Sequence, residues 1–453
     1  MSLTRKREMI LSGNLYKVIM ILSAPIMLNN LIQTFYNLTD TYFISRLGST
    51  EIAAIQFIWP ITFIIISLGT GLSMGASSII SQYIGSSQYE KAAKISGQLI
   101  YFSLVFSLFI GFFGYIFSEE IIKIMGATGA LLRYANDYLS IIFLGTFSHF
   151  MLFAFVAIKQ GQGDTKTPMK ISIMAVITNI ALDPLFIFTF GLGVKGAAIA
   201  TVLARTIFGA YGLYYLIFKD SGLKIDFNNF KFDNNAIKKI LKIGMPTAIG
   251  QSTTAVGFAI LNVLIISFGE SILTAFAIGN RINSLVFLPV MGIGTAISTI
   301  IAQNLGADNI SRAKETTYKS LAIASILTII TSFSLFLFTD KLINIFTTDP
   351  YIIEQGSAYI KLILLTLPLM GFYQILIGVF IGSGHTYQSM FMMIGRLWLF
   401  RLPMVILFKT YTNLGAYSVW YAMILSNFFI VIIGYIMFLQ GSWQTKIIKQ
   451  KNI

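Results

Sequence analysis

Two acidic residues lie inside long apolar stretches of the sequence, where a charged group requires a specific reason to be present. They are Asp40 and Asp183, while the other acidic residues occupy polar connections or the ends of apolar stretches. A carboxylate at the centre of a bilayer costs about 2.5–3.5 kcal/mol on insertion scales, so it must face a cavity, pair with a cation or take up a proton. Both acids are therefore candidate functional residues.

Polar side chains accompany each acid at helical spacing. Gln33, Asn37 and Asp40 are four and three residues apart, and Asn179 and Asp183 are four apart. Residues at these spacings lie on one face of a helix. Oxygen-rich groups of this kind suit a hard cation such as Na⁺, or two acids that share one proton.

A third apolar stretch adds a hydroxyl group. Thr201 follows the Asp183 stretch after a short connection at residues 191–193, so we expect Thr201 and Asp183 at similar depth, with Asp40 reaching the same level. Asp40, Asn179, Asp183 and Thr201 are thus predicted to form one group of ligands for Na⁺ or a proton. Alternatively, Asn179 and Thr201 only satisfy contacts between helices.

Two neighbours of this group affect shape and charge. Pro184 follows Asp183 directly and predicts a bend, because proline removes a backbone hydrogen bond from a helix. The bend is either architectural or a hinge. Arg205 lies one turn beyond Thr201, where it either pairs with an acid or extends towards lipid headgroups.

The composition places these residues in a membrane protein. The chain has 453 residues, of which 56% are hydrophobic and 11% charged, with no cysteine and two histidines. This composition excludes an ordinary soluble enzyme, disulfide bonds and the usual zinc sites. About 20 apolar residues cross the hydrocarbon core as a helix, and the sequence contains enough such stretches for an all-α protein with twelve spans. We place the spans near 16–44, 53–82, 95–117, 132–158, 168–190, 193–218, 240–268, 274–302, 318–338, 354–380, 387–408 and 413–440.

Lysine and arginine concentrate on one side of these spans. The net charge is +14, and most of the basic residues lie in the tails and in the connections on the same side as the tails. The positive-inside rule therefore predicts that both termini are cytoplasmic. Since topology explains the basic excess, we do not expect a nucleic-acid partner.

The sequence is internally duplicated. An offset of 221 residues aligns Pro25 with Pro246, Gln82 with Gln303 and Gly161 with Gly382, and a later offset of 219 aligns Pro184 with Pro403. The chain is predicted to consist of an amino-terminal six-helix lobe (1–218), a cytoplasmic linker (219–239) and a carboxy-terminal six-helix lobe (240–453). An even number of spans per half makes the repeats parallel, and in such transporters the substrate site lies between the halves.

The repeat also indicates which polar residues the fold does not need. Leu261 aligns with Asp40 and Leu402 with Asp183, so the bundle forms without the acids. The chain lacks a G-x-x-x-x-G-K-[ST] loop and is not expected to use ATP. The sequence GQGD at residues 161–164 is similar to an element of intramembrane aspartyl proteases, but it lies in a basic connection and its repeat reads GSGH. The chain is therefore expected to be a transporter without a cofactor and not an enzyme.

Four segments resemble one transporter family. They are QTFYNLTDTYFISRLG from Gln33, GASSIISQYIG from Gly75, GQGDTKTPMK from Gly161 and NIALDPLFIFTFGLGVKGAAIAT from Asn179. Together they are similar to the multidrug and toxic compound extrusion family, in the branch that has its coupling acids in the amino-terminal lobe. The resemblance covers essentially the whole chain.

The resemblance implies a V-shaped pair of six-helix lobes that exports amphipathic, often cationic compounds in exchange for Na⁺ or H⁺ by alternating access. It also implies a monomer in the plasma membrane. A flippase for lipid-linked sugars is the alternative, and an ion channel is a further one. The cation-coupling residues that it implies are Asp40, Asn179, Asp183 and Thr201, with Gln33, Tyr36, Asn37, Pro184 and Arg205 as neighbouring residues that contact the substrate or support coupling.

Overall fold

The structure, a computed structural model, describes residues 2–219, 222–225 and 230–448. The remaining residues of the predicted linker, 220–221 and 226–229, lie outside the described part. The described chain is helical and contains no strand. Its α-helices are α1 (Leu3–Ser12), α2 (Leu15–Ser45), α3 (Ser49–Gly85), α4 (Tyr89–Ile124), α5 (Gly129–Leu144), α6 (Thr146–Gly161), α7 (Lys166–Pro184), α8 (Gly193–Phe218), α9 (Asn234–Ile266), α10 (Glu270–Gly306), α11 (Ile310–Asn344), α12 (Pro350–Ser383), α13 (Thr386–Ile394), α14 (Leu402–Tyr411) and α15 (Tyr417–Leu439).

The predicted twelve-span bundle is confirmed. Eleven helical segments are long and apolar enough to cross a membrane, and α5 with α6 makes a twelfth span that is bent by 48°. The bend, which the sequence reading of residues 132–158 did not predict, lies at Gly145. A methyl group there would come 2.2 Å from a side-chain carbon of Val202 on α8, so the bend lets α8 approach the backbone closely.

A π-helical segment interrupts one span in each half. Residues Leu185–Thr189 form a π-helix directly after Pro184, and residues Gly395–Arg401 form one just before Pro403. Proline cannot donate the backbone hydrogen bond of a regular helix, which accounts for an irregular turn beside it. The irregularity predicted from Pro184 therefore occurs in both repeats, on opposite sides of the proline.

Both ends of the described chain lie on the same face of the bundle, which we call the terminal face. Arg7 of α1 donates hydrogen bonds to the carbonyl oxygens of Ile84 and Gly85 at the end of α3. The backbone N–H of Ile447 donates to Oε1 of Gln82 on the same helix, at 3.0 Å. The short helix α1, capped by Ser2, was not predicted from the sequence.

Reciprocal hydrogen bonds from two repeat-related glutamines join the halves at the terminal face. Nε2 of Gln82 donates to the carbonyl oxygens of Gly382 and Ser383, at 3.4 and 3.2 Å. Nε2 of Gln303 donates to the carbonyl oxygen of Gly161, at 3.0 Å. Each glutamine thus binds the end of a helix in the other half. We call this arrangement the glutamine clasp.

The halves separate towards the opposite face. One buried core combines the amino-terminal half with the start of α9, and a second combines the start of α2 with the carboxy-terminal half. A third core, near the opposite face, contains only carboxy-terminal residues. Among the described residues, the hydrogen bonds between halves extend no further than Thr70 with Gln251, at 3.1 Å and about mid-height. The two lobes therefore form a V that is closed at the terminal face.

Candidate functional site

A cavity of about 740 Å³ lies within the amino-terminal half. Its lining residues fall between Pro25 and Arg205 and come from α2, α3, α5, α6, α7 and α8. The sequence predicted a substrate site between the two halves, whereas this cavity is lined by residues of the amino-terminal half. The repeat supplies the physical reason: where the amino-terminal half has Asn179, Asp183 and Thr201, the carboxy-terminal half has Trp398, Leu402 and Trp420. Leu402 and Trp420, at the positions equivalent to Asp183 and Thr201, are buried in the core of the carboxy-terminal half.

The polar face of α2 forms one wall of the cavity. Gln33, Asn37 and Asp40 all line it, as their spacing predicts. Nε2 of Gln33 is 3.4 Å from Oδ1 of Asn37, so the two amides support each other along the helix. Asp40 presents its carboxylate to the cavity without forming an ion pair with any residue in the described ranges.

Asp183 lies behind the cavity wall. Its side chain is fully buried, and Nδ2 of Asn179 donates to its Oδ1 at 3.0 Å. On the neighbouring helices the hydroxyl groups of Tyr36 and Thr201 are 3.1 Å apart. The structure thus brings Tyr36 to Thr201 and Asn179 to Asp183. Pro184, one residue further, ends α7 and does not line the cavity.

Three oxygen atoms of the predicted ligand group have unused hydrogen-bonding capacity. Oδ1 of Asp40, Oδ1 of Asn179 and Oδ2 of Asp183 are buried and have no hydrogen-bond partner among the described residues. Buried polar atoms are normally satisfied, so orphaned acceptors are suited to a cation or a proton. In the described chain no three His, Cys, Asp or Glu side chains are arranged as a metal site, which leaves amide and hydroxyl oxygens to complete any coordination.

Arg205 lines the cavity but forms no ion pair with an acid in the described part of the chain. Its Nη1 is 3.3 Å from Nδ1 of His149 on α6, and the imidazole packs beside Phe153 with ring centroids 5.7 Å apart. Of the two alternatives left open by the sequence, the ion pair with an acid does not occur among the described residues. Sequence reasoning did not assign a role to His149, because 56 residues separate it from Arg205 and a single histidine carries no spacing signal.

Aromatic side chains complete the apolar part of the cavity wall. Trp59 and Phe63 of α3 both line it, with ring centroids 5.0 Å apart. Tyr36, Tyr138 and Phe153 contribute from α2, α5 and α6. Amphipathic ligands are held in sites of this composition, which combine apolar walls with a few polar groups.

Comparisons with known proteins agree with this architecture. A model of the family described as MatE matches residues 25–185 and 246–407, one range in each repeat. The probable multidrug resistance protein YpnP of Bacillus subtilis (strain 168) is 26% identical over 434 residues, which cover 95% of this chain and 96% of that protein. The probable multidrug resistance protein NorM of Thermotoga maritima is 27% identical over 434 residues, covering 94% of this chain and 92% of that protein.

A solved structure has the same fold. It is described as the outward-facing conformation of a multidrug resistance MATE family transporter of the MOP superfamily, and it matches with a TM-score of 0.91 at 27% identity over 95% of this chain and 96% of that one. The family model covers most of the chain, and the relatives match along nearly all of it. The chain is a membrane transporter and not an enzyme, and it belongs to the MatE family, the multidrug and toxic compound extrusion family that its sequence resembles.

Proposed function

We propose that this chain is a secondary active antiporter that exports amphipathic, often cationic compounds in exchange for inward movement of Na⁺ or H⁺. The coupling residues are Asp40, Asn179, Asp183 and Thr201, all in the amino-terminal half. The protein acts as a monomer in the cell membrane with both termini in the cytoplasm, and it needs neither ATP nor a bound cofactor.

The observation that carries this proposal is the fully buried Asp183. Its Oδ2 has no hydrogen-bond partner in the described chain, although burying an unpaired carboxylate is costly. The fold does not require the acid, because Leu402 occupies the equivalent position in the other repeat. A carboxylate retained at such a cost, on a helix that also lines a ligand-sized cavity, fits a group that alternately binds and releases a cation.

The shape of the bundle supports alternating access. The lobes are joined at the terminal face by the glutamine clasp and diverge towards the opposite face. With the termini cytoplasmic, this is an outward-open state in which cations from outside reach Asp40. Export then requires a second state, in which the clasp opens and the outer ends of the lobes meet.

Efflux from sealed vesicles with independently imposed gradients tests the proposal. Purified protein is reconstituted, a fluorescent cation such as ethidium is loaded, and a Na⁺ gradient or a pH gradient is applied alone. We expect at least one gradient to drive ethidium against its own concentration gradient, with a rate that saturates with ethidium concentration. An efflux rate that neither gradient changes would exclude the antiporter. Single-channel current steps in a planar bilayer would support a pore instead.

A further inference from the structure

No close ion pair with a described residue offsets the charge of Arg205. It lines the cavity, and its one hydrogen bond to a described residue joins Nη1 to Nδ1 of His149. No ion pair connects it to Asp40, although both residues line the same cavity. A cation held in an apolar wall is costly unless a partner offsets the charge.

His149 orients the guanidinium without neutralising it. An arginine can only donate hydrogen bonds, so Nδ1 of His149 is the acceptor and the imidazole carries its proton on Nε2. The ring is 7% exposed and packs beside Phe153, which keeps its position defined. Because Arg205 lines the cavity and only its Nη1 is bonded to a described residue, the other donors of the guanidinium are available to a ligand. This fork is suited to a carboxylate or phosphate.

The separation of Asp40 and Arg205 creates two anchoring points of opposite charge. Asp40 and Arg205 do not form a close ion pair of the kind that Lys6 and Asp164 form at 2.8 Å. Both residues nevertheless line one cavity, which the aromatic pair Trp59 and Phe63 also lines. A simple cation is attracted by Asp40 and repelled by Arg205.

We propose that Arg205, oriented by His149, binds an acidic group of the substrate, so that the cavity prefers amphipathic compounds carrying both a cationic and an acidic group over compounds carrying a cation alone. The inference rests on the proposed export function and specifies its substrate class. The cationic group of the substrate lies near Asp40 and the acidic group at Arg205. Such a ligand compensates both charges of the cavity at once, which a monovalent cation does not.

A pair of dyes that differ only in an acid tests the proposal. Rhodamine B carries a cationic xanthene and a free carboxylate, and its ethyl ester carries the cation alone. Binding to purified protein is measured by fluorescence anisotropy at 150 mM salt. We expect the parent to bind rhodamine B about tenfold or more tightly than the ester, which corresponds to one hydrogen-bonded contact between charged groups.

Substitutions distinguish a specific loss of binding to the acidic group from a general loss of protein structure. Arg205→Gln is expected to weaken rhodamine B about tenfold or more and to leave the ester unchanged or bound more tightly, because a repelling charge is gone. His149→Phe is expected to weaken binding of rhodamine B only. His149→Gln, whose amide oxygen can accept in place of Nδ1, is expected to lose less affinity for rhodamine B than His149→Phe. Arg46→Gln removes an exposed arginine of the same half that does not line the cavity, and it is expected to change neither dissociation constant.

Two results would overturn the inference: equal affinity of the parent for the two dyes, or an equal loss of both dyes in Arg205→Gln, which indicates a structural role. Export of the ester from vesicles is measured in parallel. Export of rhodamine B is measured in the same vesicles. If the parent exports neither dye, the proposed function fails, while the ratio of the two dissociation constants still decides whether Arg205 recognises an acid.

Discussion

Asp183 is the residue whose substitution most directly tests ion coupling. Asparagine has nearly the same shape and still accepts the hydrogen bond from Asn179, so Asp183→Asn removes the charge and preserves the contact. Since the unpaired buried charge is costly, we expect the thermal midpoint in detergent to stay the same or rise. Gradient-driven export is expected to fall about 5- to 150-fold, the usual range of a coupling free energy.

An acid outside the cavity provides the matched control for this change. Asp137 of α5 forms an ion pair with Lys195 at 3.2 Å, and the lysine is half-exposed. Exposed pairs contribute about 0–1 kcal/mol, so Asp137→Asn is expected to leave both stability and export close to those of the parent. Undiminished export by a well-expressed Asp183→Asn variant would remove Asp183 from the coupling site.

Asp164, in the connection between α6 and α7, gives stability a defined pH dependence. Burial favours its neutral form, but the hydrogen bond and charge of Lys6, together with donors from Thr167, outweigh burial and hold the pKa of Asp164 below its ordinary value. A carboxyl group whose pKa is lowered by folding stabilises the folded state at pH values above its ordinary pKa near 4. This stabilisation is lost as the pH falls through the lowered pKa.

Asp164→Asn therefore destabilises the protein in a pH-dependent way. We expect the variant to lose about 1.5–3 kcal/mol of folding stability at pH 7, the range for a hydrogen bond to a charged group. The difference in thermal midpoint from the parent is expected to stay constant down to about pH 4 and to shrink below it. Lys17→Gln, at an exposed position on the same face, serves as the control. A difference that persists unchanged at pH 3 would contradict the assignment.

The polar face of α2 was predictable from the sequence, and the environment of Arg205 was not. Gln33, Asn37 and Asp40 share one helix, whose 3.6-residue period fixes which side chains lie together. The partner of Arg205 is His149, on another helix, and helical periodicity contains no information about contacts between helices. Predicting the contact between Arg205 and His149 would have required knowledge of how α6 packs against α8.

At the scale of helices, the closeness of α3 and α10 holds the terminal face shut. A methyl group on Gly85 would come 2.0 Å from the carbonyl oxygen of Gln303, and one on Gly306 would come 2.0 Å from that of Gln82. Atoms cannot approach so closely, and the backbone cannot be displaced without moving a helix. We therefore predict that Gly85→Ala separates the two helices and shifts the protein towards a state with an open terminal face.

Distances between spin labels measure this shift. The sequence contains no cysteine, so Lys91→Cys on α4 and Lys314→Cys on α11, both exposed, can be labelled without background. Double electron–electron resonance is expected to give a longer mean distance in Gly85→Ala and in Gly306→Ala than in the parent. Gly371→Ala, where a methyl group finds ordinary contacts at 3.5 Å or more, is the control. Identical distance distributions in all four proteins would show that this contact does not hold the face shut.

Helix number followed from hydropathy, whereas helix shape did not. Twelve apolar stretches are enough to predict twelve spans. The 48° bend at Gly145 depends on the approach of Val202 from α8, a contact made in three dimensions. The helix α1 was missed because a ten-residue segment with three basic residues has no membrane-spanning signal, although Arg312 binds the carbonyl oxygens of Ile10 and Gly13 and ties it to the other half.

At the scale of the molecule, duplication produced two lobes with similar helices and different interiors. The amino-terminal lobe encloses the cavity, while Leu261, Leu402 and Trp420 are buried in the core of the carboxy-terminal lobe. The sequence predicted the two halves because repeated glycines and prolines mark their turns and bends. It did not predict that the cavity belongs to one half, since that outcome depends on how completely the large side chains of the other half fill their space.

Because one lobe contains both the acids and the cavity, cation and substrate are expected to compete through the same helices. A cation on Asp40 and Asp183 changes the conformation only if it binds the two states unequally, and reciprocity then changes substrate affinity by the same factor. Raising the Na⁺ concentration or lowering the pH is therefore expected to weaken ethidium binding to the detergent-purified parent by about 5- to 150-fold, measured by fluorescence titration. The double variant Asp40→Asn, Asp183→Asn is expected to lose this dependence on ions. The control is the double variant Glu51→Gln, Asp137→Asn, which changes two acids of the same half that do not line the cavity, and it is expected to keep the dependence. If the first double variant still loses affinity on ion addition as the parent does, coupling resides in other groups, and the guanidinium of Arg205 is the next to be tested.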